Sequence, residues 1–336
     1  MKWLFWAFFA SVLWAIQSVT AYYFTNKLGI NSASLNTFTQ GAGVMFMICY
    51  MLFYSETLKI RNNIVTIFSK SPLFMILVGI FMLFGNIFIY MSYAAVPSTV
   101  NAGLATGLSN ISIILNTFLS YLFFKARIST SASLGIIVCF ISLFIAVGYT
   151  KEGFNNGNEC IEGVCENNGE KHNTNHLWII YALCSAVFYG LGMFFTIILT
   201  KNVKNIDMLS ISVMILFIQC IIGLFVYVLF LNNTISNTYQ TAEFGLDKYS
   251  HDLQAIFTNK SDILYGIING LCEAGGIFAV VKSYQTVPNG GMSDAISGSY
   301  SIIQAPLLYY IYNTPLPPNT MVGLIGQIIG VFLIQK

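Results

Sequence analysis

Charged residues are scarce in this chain of 336 residues. Asp, Glu, Lys and Arg make up 8% of the sequence, whereas soluble domains contain about 25%. Hydrophobic residues account for 56% and aromatic residues for 15%, which is more apolar surface than a soluble protein of this length could hide. Disordered chains and nucleic-acid-binding domains both depend on charge that is missing here. The composition therefore predicts a polytopic membrane protein.

Sequence motifs for ATP hydrolysis, nucleophilic catalysis and metal binding are also missing. The chain contains neither Gly-x4-Gly-Lys-Ser/Thr nor Gly-x-Ser-x-Gly, so nothing indicates a nucleotide-driven pump or a hydrolase with a nucleophile elbow. The histidines all lie in predicted loops (His172, His176 and His251). We therefore predict no catalytic residue, no metal site and no cofactor.

Long uncharged stretches indicate membrane-spanning helices, because the hydrocarbon core of a bilayer requires about 20 mainly apolar residues per helix. Lys and Arg are more frequent on one side of these spans, ten against five, and this bias predicts that both termini lie in the cytosol. The membrane is either the plasma membrane or an endomembrane. The ten predicted spans are 3–24, 33–54, 72–94, 99–122, 132–150, 177–199, 207–231, 263–284, 290–312 and 319–335.

Two long connections are then predicted to face away from the cytosol. The acidic loop 151–176 contains Cys160 and Cys165, which can form a disulfide in an oxidising compartment. Two free thiols, or a weak metal clip with a loop histidine, are the alternatives. The other loop, 232–262, contains two sequons that predict N-glycosylation, at Asn232 and Asn259.

An internal repeat divides the chain into two halves of five predicted spans. Because five is an odd number, the second half must insert upside down relative to the first, which gives the inverted repeats of secondary transporters. The predicted domains are the first repeat at 1–150, the acidic loop at 151–176 and the second repeat at 177–336. The matching pairs at an offset of 191 include Gly79/Gly270, Gly85/Gly276, Tyr93/Tyr284 and Pro97/Pro288, and Trp3/Trp178 match at an offset of 175.

The sequence resembles the drug/metabolite transporter superfamily, in particular its EamA-like ten-helix members. The resemblance covers essentially the whole chain and is carried by Leu13-Trp14-Ala15, by the segment 85–97 and by the segment 276–288. Both longer segments look like the family's hairpin signature, although the family often has Trp-Gly where this chain has Trp14-Ala15. The resemblance implies a central cavity lined by spans 1–4 and 6–9, with spans 5 and 10 at the periphery.

Three ionisable residues inside the predicted spans are the main candidates for function, because a charge at the membrane centre costs at least about 2.5–3.5 kcal/mol. Glu273 lies near the middle of span 8, where it would bind a proton or a cationic substrate; a hydrogen-bonded structural Glu is the alternative. Asp294 is a second coupling or ion-binding candidate, unless it only complements a helix dipole. Lys282 either reaches the headgroups or pairs with Asp294 as a gate latch.

Polar side chains concentrate on the helices predicted to line the cavity. A single Ser or Thr usually serves helix packing, but the concentration in spans 4 and 9 is typical of a hydrated wall. The predicted substrate-binding residues are Gln17, Tyr22, Asn86, Tyr90, Asn101, Asn110, Ser297, Tyr300 and Gln304. The predicted gates are the two Val-Pro turns and their surroundings, with Tyr93, Pro97, Lys282, Tyr284 and Pro288.

These features predict a secondary active transporter that moves a small polar or cationic metabolite or drug by alternating access, with the proton as candidate coupling ion. Its expected partners are this small molecule and the lipid bilayer, and no nucleic acid. The protein is expected to be a monomer or a homodimer. Gly266-x3-Gly270 and Gly326-x3-Gly330 are expected to allow close helix packing, and Gly326 on the peripheral span 10 is a candidate dimer face.

Three alternative functions remain from the sequence. An anion exchanger for sugar phosphates or nucleotide sugars would usually need a denser basic cluster, and Lys282 is the single cation in the predicted spans. An intramembrane enzyme would use Glu273 and Asp294, but their partners at the offset of 191 are Met82 and Gly103. A non-transporting receptor or scaffold would have only short loops with which to recruit partners.

Overall fold

A computed structural model describes residues 2–53, 57–97, 100–126, 128–148, 177–202, 207–232, 252, 254–287 and 289–334. All regular elements in these ranges are helices. The predicted disulfide cysteines, Cys160 and Cys165, lie outside the described residues, as does Pro288.

The helices follow the predicted spans closely. In the first half they are α1 (Lys2–Tyr22, continued by a π turn at Tyr23–Lys27), α2 (Ser32–Phe53), α3 (Thr57–Lys70), α4 (Pro72–Ala95), α5 (Gly103–Ser109), α6 (Ser112–Phe124) and α7 (Thr130–Gly148). In the second half they are α8 (Leu177–Asn202), α9 (Met208–Asn232), α10 (Lys260–Tyr284), α11 (Gly290–Ser297, followed by a 3-10 turn at Gly298–Tyr300), α12 (Ser301–Tyr312) and α13 (Pro318–Ile334).

Each predicted span contains helix, with two differences of detail. The fourth and ninth predicted spans are broken, the fourth between α5 and α6 and the ninth at the 3-10 turn. The connection between the second and third spans contains the extra helix α3. In the described part of the chain, six helical stretches are long and apolar enough to cross a membrane: α1 with its π turn, α4, α5–α6, α8, α9 and α10. The chain is therefore an integral, multi-pass membrane protein.

The polarity of the bundle suits a lipid environment. Large apolar side chains such as Phe118, Phe144 and Phe332 are exposed on the outside, where lipid replaces water as the solvent. Polar side chains such as Gln40 and Asn269 are fully buried inside. Helices associate in lipid through close packing and interhelical hydrogen bonds, and the chain places its glycines and amides at those contacts.

The helices α7 and α13 pack backbone against backbone. A Cβ atom on Gly135 would lie 2.5 Å from the carbonyl oxygen of Gly330, so these two backbones touch directly. Gly326 faces Ser142 of the same chain. Gly326 and Gly330 therefore serve close helix packing within the chain, as predicted, and Gly326 faces α7. The oligomeric state stays a prediction.

A Gly135→Ala variant is expected to lose about 1–3 kcal/mol of stability, because overpacking a close contact forces the neighbouring backbone to shift. Gly41→Ala is the matched control, since a Cβ there would meet Cys220 Sγ at 3.9 Å, an ordinary contact. Thermal unfolding of both purified variants in detergent measures the difference. Equal melting temperatures would contradict the packing described here.

The bundle has two hairpin connections at opposite ends. Hairpin 1 joins α4 to α5 through 96–102, and hairpin 2 joins α10 to α11 through 285–289. Near hairpin 1, Ser92 donates to the carbonyl oxygen of Trp178 at the start of α8. At hairpin 2, Gly290 packs against Ile197 near the end of α8. The length of α8 therefore separates the two hairpins.

The sequon residues lie at helix ends on either side of the connection between α9 and α10. Asn232 is the last residue of α9, and Asn259 is the N-cap residue of α10. The exposed Asn259 side chain donates to Asp262 at 3.0 Å. Their glycosylation stays a prediction.

Candidate functional site

A cavity lies inside the bundle. It is bounded by α1, α4, α8 and α10 and by the two broken helices. The lining residues are Trp14, Gln17, Met82, Asn86, Ser109, Asn110, Ser112, Tyr189, Met193, Glu273, Asp294, Ser297, Gly298 and Tyr300.

Glu273 is 3% exposed and lies where α2, α4 and α10 meet. Its Oε1 atom accepts hydrogen bonds from Gln40 Nε2 at 3.0 Å and from Asn86 Nδ2 at 3.4 Å. The other end of the Asn86 amide accepts a hydrogen bond from the Tyr189 hydroxyl on α8. The Glu273 carboxyl group is therefore held by neutral donors from α2 and α4, and α8 holds one of these donors in turn.

Small residues on both sides of Glu273 let two helices approach it. A Cβ atom on Gly270 would lie 2.5 Å from Ala42 Cβ, so α2 packs directly on α10 at this point. Gly276 provides the space that the Trp14 indole of α1 occupies. The glycines that flank Glu273 in the sequence thus explain how one carboxyl group can reach partners from several helices.

Asp294 is the second buried acid of the cavity, 6% exposed at the middle of α11. One carboxylate oxygen accepts a hydrogen bond from the Tyr284 hydroxyl and the other from the Asn116 amide. Lys282 is half-buried, and the described contacts of Asp294 include no ion pair with it. In this structure Tyr284 and Asn116, rather than Lys282, hold Asp294.

The two broken helices meet at the cavity. Asn110, which follows α5, donates from its side-chain amide to the carbonyl oxygen of Gly298 in the 3-10 turn of the other broken helix. Non-helical backbone at membrane depth is tolerated where it lines a cavity or is buried in protein. The breaks therefore bring backbone polar groups to the cavity wall, close to Ser297 and Tyr300.

Five of the nine predicted substrate-binding residues line the cavity, and four lie elsewhere. Tyr90 lies behind the wall, where its hydroxyl accepts a hydrogen bond from Gln17 Nε2 at 2.6 Å. Gln304 is fully buried, and neither of its amide atoms has a partner among the described residues. The residues that line the cavity are Gln17, Asn86, Asn110, Ser297 and Tyr300.

Tyr22 and Asn101 belong to the end of the bundle at hairpin 1 rather than to the cavity. The Tyr22 and Tyr312 rings lie 5.8 Å apart between centroids. The Asn101 amide donates to the carbonyl oxygen of Ala305 at 3.2 Å and to Thr314 Oγ1 at 3.1 Å. Both side chains therefore connect helices at this end.

The predicted gate tyrosines occupy equivalent positions at the two ends. Tyr93, near the end of α4, shares a 2.7 Å hydrogen bond with Thr106 of α5. Tyr284, at the end of α10, donates to Asp294 of α11. Each tyrosine therefore ties the helix before a hairpin to the helix after it, and Pro97 lies in the first of these hairpins.

Sequence reasoning missed the apolar part of the wall and the partners of Glu273. Met82, Tyr189 and Met193 carry no polar pattern that distinguishes them, but Tyr189 matches Trp14 at the offset of 175. Because Trp14 belongs to a predicted cavity helix, this match could have identified Tyr189 as a residue of the cavity wall. Gln40 lies in the second predicted span, and only its contact with Glu273 shows its role.

Comparison with known proteins supports the predicted resemblance. The model of the EamA-like transporter family matches residues 1–148. No curated protein matches the chain. One solved crystal structure has the same fold with a TM-score of 0.62 at 11% sequence identity, covering 98% of this chain and 95% of that chain.

The family match and the helical bundle agree with each other. The matched residues run from the start of α1 to the end of α7, which includes the first of the two broken helices and hairpin 1. The first half of the chain, residues 1–148, is therefore similar to the EamA-like transporter family.

Proposed function

We propose that this protein is a secondary active transporter of a small organic cation. The observation that carries the proposal is the charge of the cavity: Glu273 and Asp294 both line it, and no Lys or Arg of the described residues does. Buried carboxylates are stable only when they are neutralised or paired. A cation, or a proton in its absence, supplies that neutralisation.

The aromatic part of the wall also favours a cation. Trp14 and Tyr300 lie in the cavity wall with ring centroids 6.2 Å apart in an edge-to-face arrangement. Tyr189 lines the same cavity next to Asn86. Aromatic faces attract ammonium groups, by about 2 kcal/mol or more when the cation is desolvated. The site therefore combines carboxylates with rings, as recognition of an alkylated amine requires.

We infer that the chain consists of two inverted five-span repeats, 1–150 and 177–336, with both termini in the cytosol. In the two repeats, α4 is equivalent to α10 and α8 is equivalent to α1. The helices α4 and α8 pack against each other, and so do their equivalents α10 and α1. The glycine contacts follow the same rule: Gly85 packs under Tyr189, and its equivalent Gly276 packs under Trp14, the equivalent of Tyr189. This internal symmetry supports the repeat.

Alternating access would then use the two hairpins as gates. Rocking of one repeat against the other opens one end while the other closes. The contacts of Tyr93 with Thr106 and of Tyr284 with Asp294 are the bonds that would break and form in turn. Because Asp294 also lines the cavity, a substrate that binds to it would compete with its hydrogen bond from Tyr284 at hairpin 2.

Glu273 is the proposed coupling residue. Its donors, Gln40 and Asn86, are neutral amides, so the described surroundings do not lock the carboxyl group into an ion pair. A proton and a cationic substrate would therefore compete for the same group, and their alternation couples the two fluxes. An anion exchanger of the same fold is opposed by the two acids in the cavity.

Ligand-dependent thermal stabilisation of the purified protein tests the proposed function. Small organic cations should raise the melting temperature by mass action, more strongly at neutral than at acidic pH, because protons compete for the carboxyl groups. Sugar phosphates and nucleotide sugars should have no effect. Stabilisation by these anions with none by cations would overturn the proposal. Glu273→Gln is the matched variant, and its pH dependence should be weaker because only Asp294 still binds a proton.

A further inference from the structure

We propose that the substrate carries two positive charges: it is a linear diamine that binds with one ammonium group at Glu273 and the other at Asp294. The inference rests on the proposed function and names its substrate class. The two acids line one cavity, but they belong to different helices and have different partners, so each forms a separate anionic subsite.

Charge balance favours two amines over one. The described partners of Glu273 are Gln40 and Asn86, and those of Asp294 are Tyr284 and Asn116. All four are uncharged, so neither acid has a resident counter-ion in the described part of the chain. With a monocation, the second carboxyl group would have to bind a proton, because an unpaired buried carboxylate is costly, whereas a diamine neutralises both acids.

The partners of the two acids show how they are spaced along the bundle. Glu273 and Tyr284 are eleven residues apart on α10, a rise of about 16 Å. Asp294 accepts a hydrogen bond from the Tyr284 hydroxyl. This hydroxyl lies closer to Glu273 than the Tyr284 backbone does, because long side chains on a helix point toward its N-terminus. The Glu273 side chain points toward the same end of α10, so the two carboxyl groups lie about 11–14 Å apart along the bundle axis.

The neighbouring helix α8 contacts the partners of both acids. Tyr189 contacts Asn86 on the Glu273 side, and Met193 Sδ accepts a hydrogen bond from Tyr284 at 3.1 Å on the Asp294 side. These two residues are one helical turn apart, about 6 Å. The subsites are therefore neighbours within one cavity rather than sites at opposite ends of the membrane.

This spacing limits the length of the substrate. An ammonium group lies about 2.8 Å from the carboxylate oxygen that it binds. About 5–8 Å then remain between the two nitrogen atoms, the length of an extended chain of about three to five methylene groups. The wall beside the two subsites contains Met82 and Met193, whose flexible apolar side chains suit a methylene chain.

The test measures binding of a series of α,ω-diamines with two to eight methylene groups, and of the monoamines of equal chain length, to the purified full-length protein. Affinity should be highest at three to five methylene groups. The best diamine should bind at least about tenfold more tightly than its monoamine, because it forms a second buried charge pair.

Two variants keep the test specific to Asp294. Asp294→Asn should still bind monoamines but should lose the preference for diamines. Asp294→Glu, which keeps the charge and reaches further, should retain the preference and move the optimum to a chain about one methylene group shorter.

The possible outcomes separate the two proposals. Equal binding of monoamines and diamines of all lengths by the unaltered protein would overturn the diamine inference and leave cation transport intact. Failure of every amine to bind, or binding of anions alone, would overturn both. A chain-length optimum that Asp294→Asn does not change would also overturn the assignment of the second subsite.

Discussion

Glu273→Gln is expected to abolish proton-coupled transport while leaving the protein folded. Glutamine has nearly the same shape, and its carbonyl oxygen can still accept the hydrogen bonds from Gln40 and Asn86. It cannot bind a proton or neutralise a cation. Removing one partner of a buried charge pair costs roughly 2–5 kcal/mol, so substrate affinity should fall by a factor of about thirty or more.

Uptake of a labelled organic cation into proteoliposomes, driven by a pH gradient, measures this effect. Asp262→Asn is the matched control: Asp262 is also a buried acid, 1% exposed, but it accepts a hydrogen bond from Tyr23 and does not line the cavity. The control variant should keep gradient-driven uptake. Unaltered pH dependence in Glu273→Gln would exclude Glu273 as the coupling residue.

Cross-linking either end of the bundle is expected to stop transport completely and reversibly. At hairpin 2, the Ser283 and Ser293 hydroxyl groups are hydrogen-bonded to each other, so cysteines at these positions are near enough for a disulfide. At hairpin 1, Asn101 donates to Thr314 at 3.1 Å, so cysteines at these two positions offer a second pair that a short, reducible dithiol cross-linker can bridge through disulfides. Alternating access requires each end to open once per cycle, so each cross-link should block turnover.

The experiment uses the full chain with its native cysteines replaced, and it measures uptake before cross-linking, after cross-linking and after reduction. Each single-cysteine variant is the control for its pair and should be insensitive to the same treatment. Restored uptake after reduction shows that the protein survived the treatment. Continued transport with either cross-link fully formed would mean that this end does not open, and alternating access by two hairpins would be incorrect.

The class of the protein and the positions of its helices follow from local sequence. Scarce charge and long apolar stretches are sufficient to locate helices, because the energetic cost of exposing a charge or a peptide group to lipid depends on the segment itself. Glu273 could be singled out for the same reason: an acid in the middle of an apolar stretch is rare whatever surrounds it.

The orientation of individual side chains could not be predicted in the same way. Tyr90 and Asn101 are polar residues in or beside the predicted cavity helices, yet one lies behind the wall and the other connects helices at hairpin 1. A helix turns by about 100° per residue, and in a helix that is apolar all round the sequence does not distinguish the face toward lipid from the face toward the cavity.

Composition and local pattern thus establish a multi-pass helical membrane protein and its most unusual buried acid, whereas the site is assembled only by folding. Gln40 and Glu273 are 233 residues apart, and Asn116 and Asp294 are 178 apart. Hydropathy is a property of neighbouring residues, but these pairs depend on which helix faces meet, which is decided by close packing at positions such as Gly270 and Gly276.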